Sequence, residues 1–220
     1  LFYFASTGSP YRLKIQSDST IFLDAGSNDV QIADLGSGLA GSGWHSLIFV
    51  RNSGTIITYL DGSQVDSVSY SHALNSGGNN LIIGNNGGSY LNGKLSNISI
   101  YSSALSATQV QTLYNEHKPF DLNTFAVTPV SWWRLGSVNS YYNTTTSEWS
   151  ILDEIGTNNG IGNNLGPAQT ALSDGVGATG SGLSSGMSSG TNRTGNSPYS
   201  ESNSVSYNMS VTAKSTSVPT

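Results

Sequence analysis

The sequence predicts an all-β protein: an antiparallel β-sandwich with one short helix and a long Gly/Ser/Asn-rich C-terminal extension carrying extra strands. Three observations lead there. Residues 43–70 hold three β-branched and aromatic runs separated by two tight-turn signals. Only 10% of the 220 residues are charged, against about a quarter in ordinary globular chains, and 26 glycines help fill the gap. Helical spacing of apolar residues stands out in one stretch, near residues 106–116.

The central stretch reads as a β-meander. Trp44, Ser46, Ile48 and Val50 fall on one face of the first run, and His45, Leu47, Phe49 and Arg51 on the other. Both faces carry large apolar groups, so this strand is expected to be central and covered on each side, with Phe49 in the core. Asn52-Ser53-Gly54 turns the chain into 55–60, which is rich in Ile and Thr and contains Tyr59. Asp61-Gly62 is a strong short hairpin signal, because a type I′ turn needs positive φ at both positions. Residues 64–70 form the return strand.

Before this meander, 11–16 and 20–24 read as short strands split by Ser17-Asp18-Ser19, 24–29 as a loop, and 30–33 as a weak strand. After it come short strands at 81–84 and 93–101. The helix follows: Ser106 as N-cap and Gln109 at the third helical position fit a capping box. Val110, Leu113 and Tyr114 share one face, and the helix should end near 115–117, before Pro119. Residues 117–130 read as a linker, 131–135 as a strand, and 204–213 as a terminal strand. Residues 162–204 are mostly Gly, Ser, Asn and Thr. Such a segment cannot offset its ordering entropy alone and needs another surface to lie on.

The runs GWHSLIFVRNSGTIITYLDGSQV, LIIGN and NGKLSNISIYSSALSATQVQTLYN resemble, in order and spacing, the second half of a laminin-G-like domain. That family belongs to the concanavalin A-like lectin and glucanase superfamily, so the resemblance, over residues 1–116, implies a jelly-roll β-sandwich. The family usually carries an acidic pair in the closing strand, where this chain has Ser96 and Asn97. Trp132-Trp133-Arg134-Leu135-Gly136 and 152–160 resemble the opening of such a domain. The end of the domain therefore precedes its beginning. Three readings stay open: a cut tandem array, a permuted chain, or residues 131–220 completing a sandwich in the same or a neighbouring subunit. The neighbour is the favoured partner on sequence grounds. Leu1 in place of Met leads to the expectation of a processed chain or one that begins within a larger protein.

Charge and motif content exclude several classes. The net charge is −5 and the 8 Lys and Arg form no cluster, so no nucleic-acid footprint is present. With no Cys there is no disulfide scaffold and no thiol nucleophile. No apolar run approaches a membrane span, so no membrane insertion is expected. Glucanases of the superfamily resembled carry Glu-x-Asp-x-Glu on one strand, which sets two carboxylates at catalytic separation; the chain has no such triplet. Asp153 and Glu154 are adjacent and would face opposite ways on a strand, so a solvated turn is the expectation and the chain is read as no enzyme. His45, His72 and His117 form no ligand motif. Calcium is the one cofactor considered, with Asp24, Asn28 and Asp29 as oxygen ligands in one loop, against a plain Asx-rich turn.

Trp44, Phe49, Tyr59, Asp61, Gly62 and Ser106 are the residues expected to carry the fold. Trp132, Trp133, Tyr141, Tyr142 and Trp149 form an aromatic group for an interface or a glycan, with Trp132 and Trp133 on opposite faces. The C-terminal half resembles virion proteins of tailed aquatic bacteriophages. The reading that follows is a non-enzymatic structural protein of a virion surface, with other virion proteins, copies of itself and surface glycans as partners. The alternative is a carbohydrate-binding lectin module of a secreted or cell-surface protein.

Overall fold

A computed structural model describes residues 2–4, 11–25, 28–36, 39, 43–72, 80–85, 91, 95–115, 120–135, 140–163 and 208–211. The expected tail, 162–204, lies outside these residues except for its first two positions. The described residues form antiparallel strands and one α-helix.

The meander forms as the turn signals dictate. Strands β5 (Leu47–Asn52), β6 (Thr55–Leu60) and β7 (Ser63–Ser69) make one ladder. Ser53 and Gly54 adopt φ of 45° and 84°, and Asp61 and Gly62 adopt 49° and 76°, so both tight turns use positive φ at successive residues. A long sheet faces this ladder. Its strands run, from one edge to the other, β11 (Ser140–Asn143), β12 (Glu148–Ile151), β13 (Gly160–Asn163), β14 (Asn208–Val211), β8 (Leu81–Ile83), β1 (Phe2–Phe4), β2 (Tyr11–Ile15), β3 (Thr20–Ala25) and β4 (Asn28–Asp34). A third, two-stranded ladder joins β9 (Ile98–Ile100) to β10 (Ser131–Trp133), with Trp132 opposite Ser99.

Three apolar clusters build the core. Leu47 and Phe49 of β5 pack against a cluster containing Ile21, Leu23, Ile32, Ile56 and Tyr70. Ile48, Val50 and Tyr59 face a second cluster with Val110, Leu122, Phe125 and Trp132. Strand β5 is thus covered on both faces, as its double apolar alternation predicts. The third cluster joins Leu81, Ile83 and Ile151 of the long sheet to Ile98 and Trp133 of the small ladder.

Helix α1 (Ala107–Tyr114) covers the second cluster with a fully buried Val110. Its capping box is complete: the Gln109 backbone N–H donates to Ser106 Oγ, and the Ser106 backbone N–H donates to Gln109 Oε1 at 2.7 Å. Asn115 closes it in the left-handed region. The helix lies on the Asp61-Gly62 turn so closely that a Cβ on Gly62 would sit 2.7 Å from Gln111 Oε1 and 2.8 Å from Tyr114 Cδ1.

Two expectations need correction. Residues 24, 25, 28 and 29, expected in a loop, are strand residues, with the ladder carried up to Ala25 opposite Asn28. Two acidic residues can face each other there, Asp24 opposite Asp29, because Arg12 and Lys14 of β2 supply cations. Residues 120–130 are more than a linker: a 3-10 turn at Leu122–Thr124, capped by Asp121, buries Leu122 and Phe125 under the helix layer. Finally, the opening strand β10 pairs with β9 and the terminal strand β14 with β8 within the chain, the first of the two arrangements, same or neighbouring subunit, that the sequence leaves open.

Candidate ligand-binding surface

The opening strand is held by a carboxylate. Asp153 Oδ1 accepts the backbone N–H groups of Trp132 (2.9 Å), Ile155 (3.2 Å) and Gly156 (3.0 Å), and Oδ2 accepts that of Asn158 (3.2 Å). The Asp153 backbone N–H donates to Asn159 Oδ1 at 3.0 Å. Asp153 is 8% exposed, so the expected solvated turn is a buried hub at this residue.

Trp132 and Trp133 are each 0% exposed and belong to different clusters, on opposite faces of β10. Neither ring has a face open to a ligand, which removes both from the expected glycan set. Their indole N–H groups are satisfied inside: Trp132 Nε1 donates to Asn97 Oδ1 and Trp133 Nε1 to the Asn158 carbonyl, both at 2.8 Å. Asn97 therefore accepts from the opening strand at the position where the resembled family carries acid. The Arg134 guanidinium lies 4.4 Å from the centre of a Trp132 ring and 3.3 Å from Glu154 Oε2. Burial pushes the Glu154 carboxyl above the usual carboxylate range, Arg134 opposes this, and Asp153 and Asp121 add to it.

The other three aromatics sit on the β11–β12 hairpin at the edge of the long sheet. Tyr142 and Trp149 are cross-strand partners, half-buried, with ring centres 5.8 Å apart and an edge-on geometry. Tyr141, on the opposite face, is 53% exposed.

The candidate calcium ligands do not fit a cation. Asp24, 4% exposed, is bound by the Arg12 guanidinium and lies 3.7 Å from Lys14 Nζ, while Asp29 pairs with Lys14 at 2.9 Å. A metal ion would have to displace two protein cations. Asn28 lies in β4, and no group of three or more His, Cys, Asp or Glu with metal-binding geometry exists among the described residues.

Among the remaining named residues, Asp61 Oδ2 lies 2.7 Å from His45 Nδ1, and Oδ1 accepts the Ser46 backbone N–H at 2.9 Å. The Trp-His segment is therefore tied to the hairpin turn, and Trp44 is half-buried beside it.

One arrangement has no motif in the sequence. On the face of the long sheet turned away from the core, Arg12, Asp24 and Asp29 form one cross-strand row, and Lys14, Phe22 and Gln31 the next. Phe22 is half-buried and belongs to none of the three apolar clusters. A bulge between Ile21 and Phe22 accompanies it. Alternation along 20–25 could have placed Phe22 outside, but nothing local marks its neighbours on β2 and β4.

The described strands, with a helix covering the meander, build an antiparallel β-sandwich. Residues 1–111, half of the chain, match a laminin-G family model described as the concanavalin A-like lectin/glucanases superfamily, and the chain belongs to that superfamily. No curated protein matches it. Among solved structures, the chain is similar to residues 221–444 of an S-layer domain-containing protein from Clostridium thermocellum, with 21% identity and a TM-score of 0.29. That match covers 52% of this chain and 61% of the other.

Proposed function

We propose that the chain is a non-enzymatic carbohydrate-binding or adhesion module that works at an extracellular surface. The superfamily's lectin-type sandwich supports this, together with the commitment of its buried carboxylates. Asp153 serves backbone amides, Asp24 serves Arg12, and Glu154 faces Arg134. None of these forms a facing pair across a cleft, which glycoside hydrolysis requires. No helix among the described residues is long and apolar enough to cross a membrane. The test is a glycan array probed with the full chain, paired with a reducing-end assay on the glycans retained. Retention without hydrolysis supports the reading; release of reducing ends that is lost in Asp153→Asn or Glu154→Gln overturns it.

A finer reading places the module on a virion, in contact with copies of itself and other particle proteins. Its support is the Gly/Ser/Asn-rich composition of 162–204 and the low charge content, 10% overall. Mass spectrometry of purified virions, finding or missing this chain among the particle proteins, tests it.

A further inference from the structure

Arg51 is a cation without a counter-ion, and we propose that it and Tyr70 hold the carboxylate or sulfate group of an acidic glycan at one end of the sandwich. The proposal rests on the carbohydrate-binding reading above and gives that reading a site and a ligand class. Two observations carry it. The first is a contrast among cations. The described residues include Arg12, Lys14, Arg51 and Arg134. Arg12 and Lys14 meet Asp24 and Asp29, and Arg134 meets Glu154. Arg51 meets no carboxylate; its one hydrogen bond runs from a terminal nitrogen to the His72 carbonyl, at 3.0 Å. Its Nε is buried and donates to nothing. A guanidinium partly stripped of water and left without an acceptor has already lost hydration that an incoming anion would otherwise have to displace.

The second is the Tyr70 hydroxyl. Tyr70 is 1% exposed, and its oxygen is buried with no hydrogen-bond partner. The register places it beside Arg51. Arg51 lies opposite Ile56 and Ile56 opposite Val68, so Tyr70, two residues on, shares the face of the ladder that Arg51 occupies. Leu47 and Phe49 precede Arg51 on that face and pack toward the long sheet, so Arg51 ends an apolar row at the rim. Burial pushes the Tyr70 hydroxyl above the usual phenol range, the Arg51 charge opposes this, and Asp24 adds to it. The carboxylates on this side are engaged elsewhere: Asp24 with Arg12, and Asp66 with the Ser67 backbone N–H at 2.7 Å. Two donors, guanidinium and phenol, thus lack acceptors in one place, and an oxyanion satisfies both. Both donor atoms are enclosed, so the oxyanion enters as the half-buried Arg51 side chain shifts at the rim. Exposed Asn52, Ser71 and His72 border the site, the His72 ring standing edge-on to Tyr70 with centres 5.4 Å apart. Their polar groups suit the hydroxyls of the sugar that carries the acid.

The experiment immobilises uronate-bearing and sulfated oligosaccharides, with their methyl-esterified and desulfated forms as neutral controls, and measures retention of the full chain. The expected result is retention on the acidic forms that falls about tenfold in Arg51→Gln, and less in Arg51→Lys, which keeps the charge but not the planar fork. Tyr70→Phe should weaken retention about threefold while leaving the thermal unfolding temperature unchanged or higher, because it removes an unpartnered buried hydroxyl. A Tyr70→Phe chain that unfolds at a lower temperature overturns the proposal, since the hydroxyl then has a partner within the fold. Retention on acidic glycans that survives either Arg51→Gln or Tyr70→Phe overturns it too. So does retention on the neutral forms that equals or exceeds that on the acidic ones, an outcome that leaves the carbohydrate reading standing. A wild-type chain retained on no glycan overturns both.

Discussion

The carboxylate of Asp153 accepts the backbone N–H of Trp132 at 2.9 Å, across 21 residues of sequence. The same oxygen holds Ile155 and Gly156 and its partner oxygen holds Asn158, so one side chain fixes both the opening strand and the loop that follows β12.

Asp153→Ala leaves one buried and three part-buried amides without their acceptor. It should cost about 2–4 kcal/mol in urea unfolding. Asp153→Asn retains one acceptor oxygen but turns an amide N–H₂ toward one of the backbone donors, and should cost less, about 1–2 kcal/mol. Equal losses in the two variants would show that packing, not acceptor capacity, sets the effect.

Glu154 gives a pH dependence with a definite sign. Its carboxyl is raised from the ordinary 4.5 by burial, so the folded protein favours the protonated form. That contribution is fully present below the unfolded value and is lost as pH rises through the folded one. Glu154→Gln removes the dependence. The stability of the variant relative to wild type should therefore improve as pH rises from 4 to 8, measured by denaturant unfolding at each pH. A difference that is flat or reversed in sign contradicts the burial assignment.

Gly62 is confined twice, by φ of 76° and by helix α1 above it. Gly62→Ala should cost about 1–3 kcal/mol. Part of the loss should return in Gly62→Ala/Gln111→Ala, because the nearest atom to the added methyl is the Gln111 amide oxygen at 2.7 Å. Full additivity of the two substitutions would place the strain in the backbone alone.

Ser106→Ala removes half of the capping box and should cost about 0.5–2 kcal/mol. Ser106→Asp should largely restore stability, since a carboxylate oxygen can accept the same Gln109 N–H and also suits the helix N-terminus. Thermal unfolding of the three proteins checks the order.

The parts of the fold that could be read in advance depend on short-range chemistry. Asp61-Gly62 and Ser53-Gly54 specify their own turns, and Ser106 with Gln109 specifies its own cap. Double apolar alternation in 47–50 reports two covered faces. What could not be read depends on partners distant in sequence. The pairing of Asp24 with Asp29 needs Arg12, which lies 12 residues before Asp24. Asp153 looks like a solvated turn residue until Trp132 is placed beside it. Trp132 and Trp133 look alike as candidate binding aromatics and as core, and only the cover on both sides of β10 decides between them. Phe22 obeys its strand's alternation, but the grid around it is assembled from three strands.

The pairing of β10 with β9 sets an order of events during synthesis. Everything through the helix is synthesised before Trp132 and Trp133 exist, so two of the three apolar clusters lack their largest members during that interval. Strand β8 must wait longer for β14, whose Met209 sits opposite Ile83. Closure of the sandwich is thus a late, long-range event, and a nascent chain stalled before residue 131 presents greasy half-cores and unpaired strand edges to its surroundings.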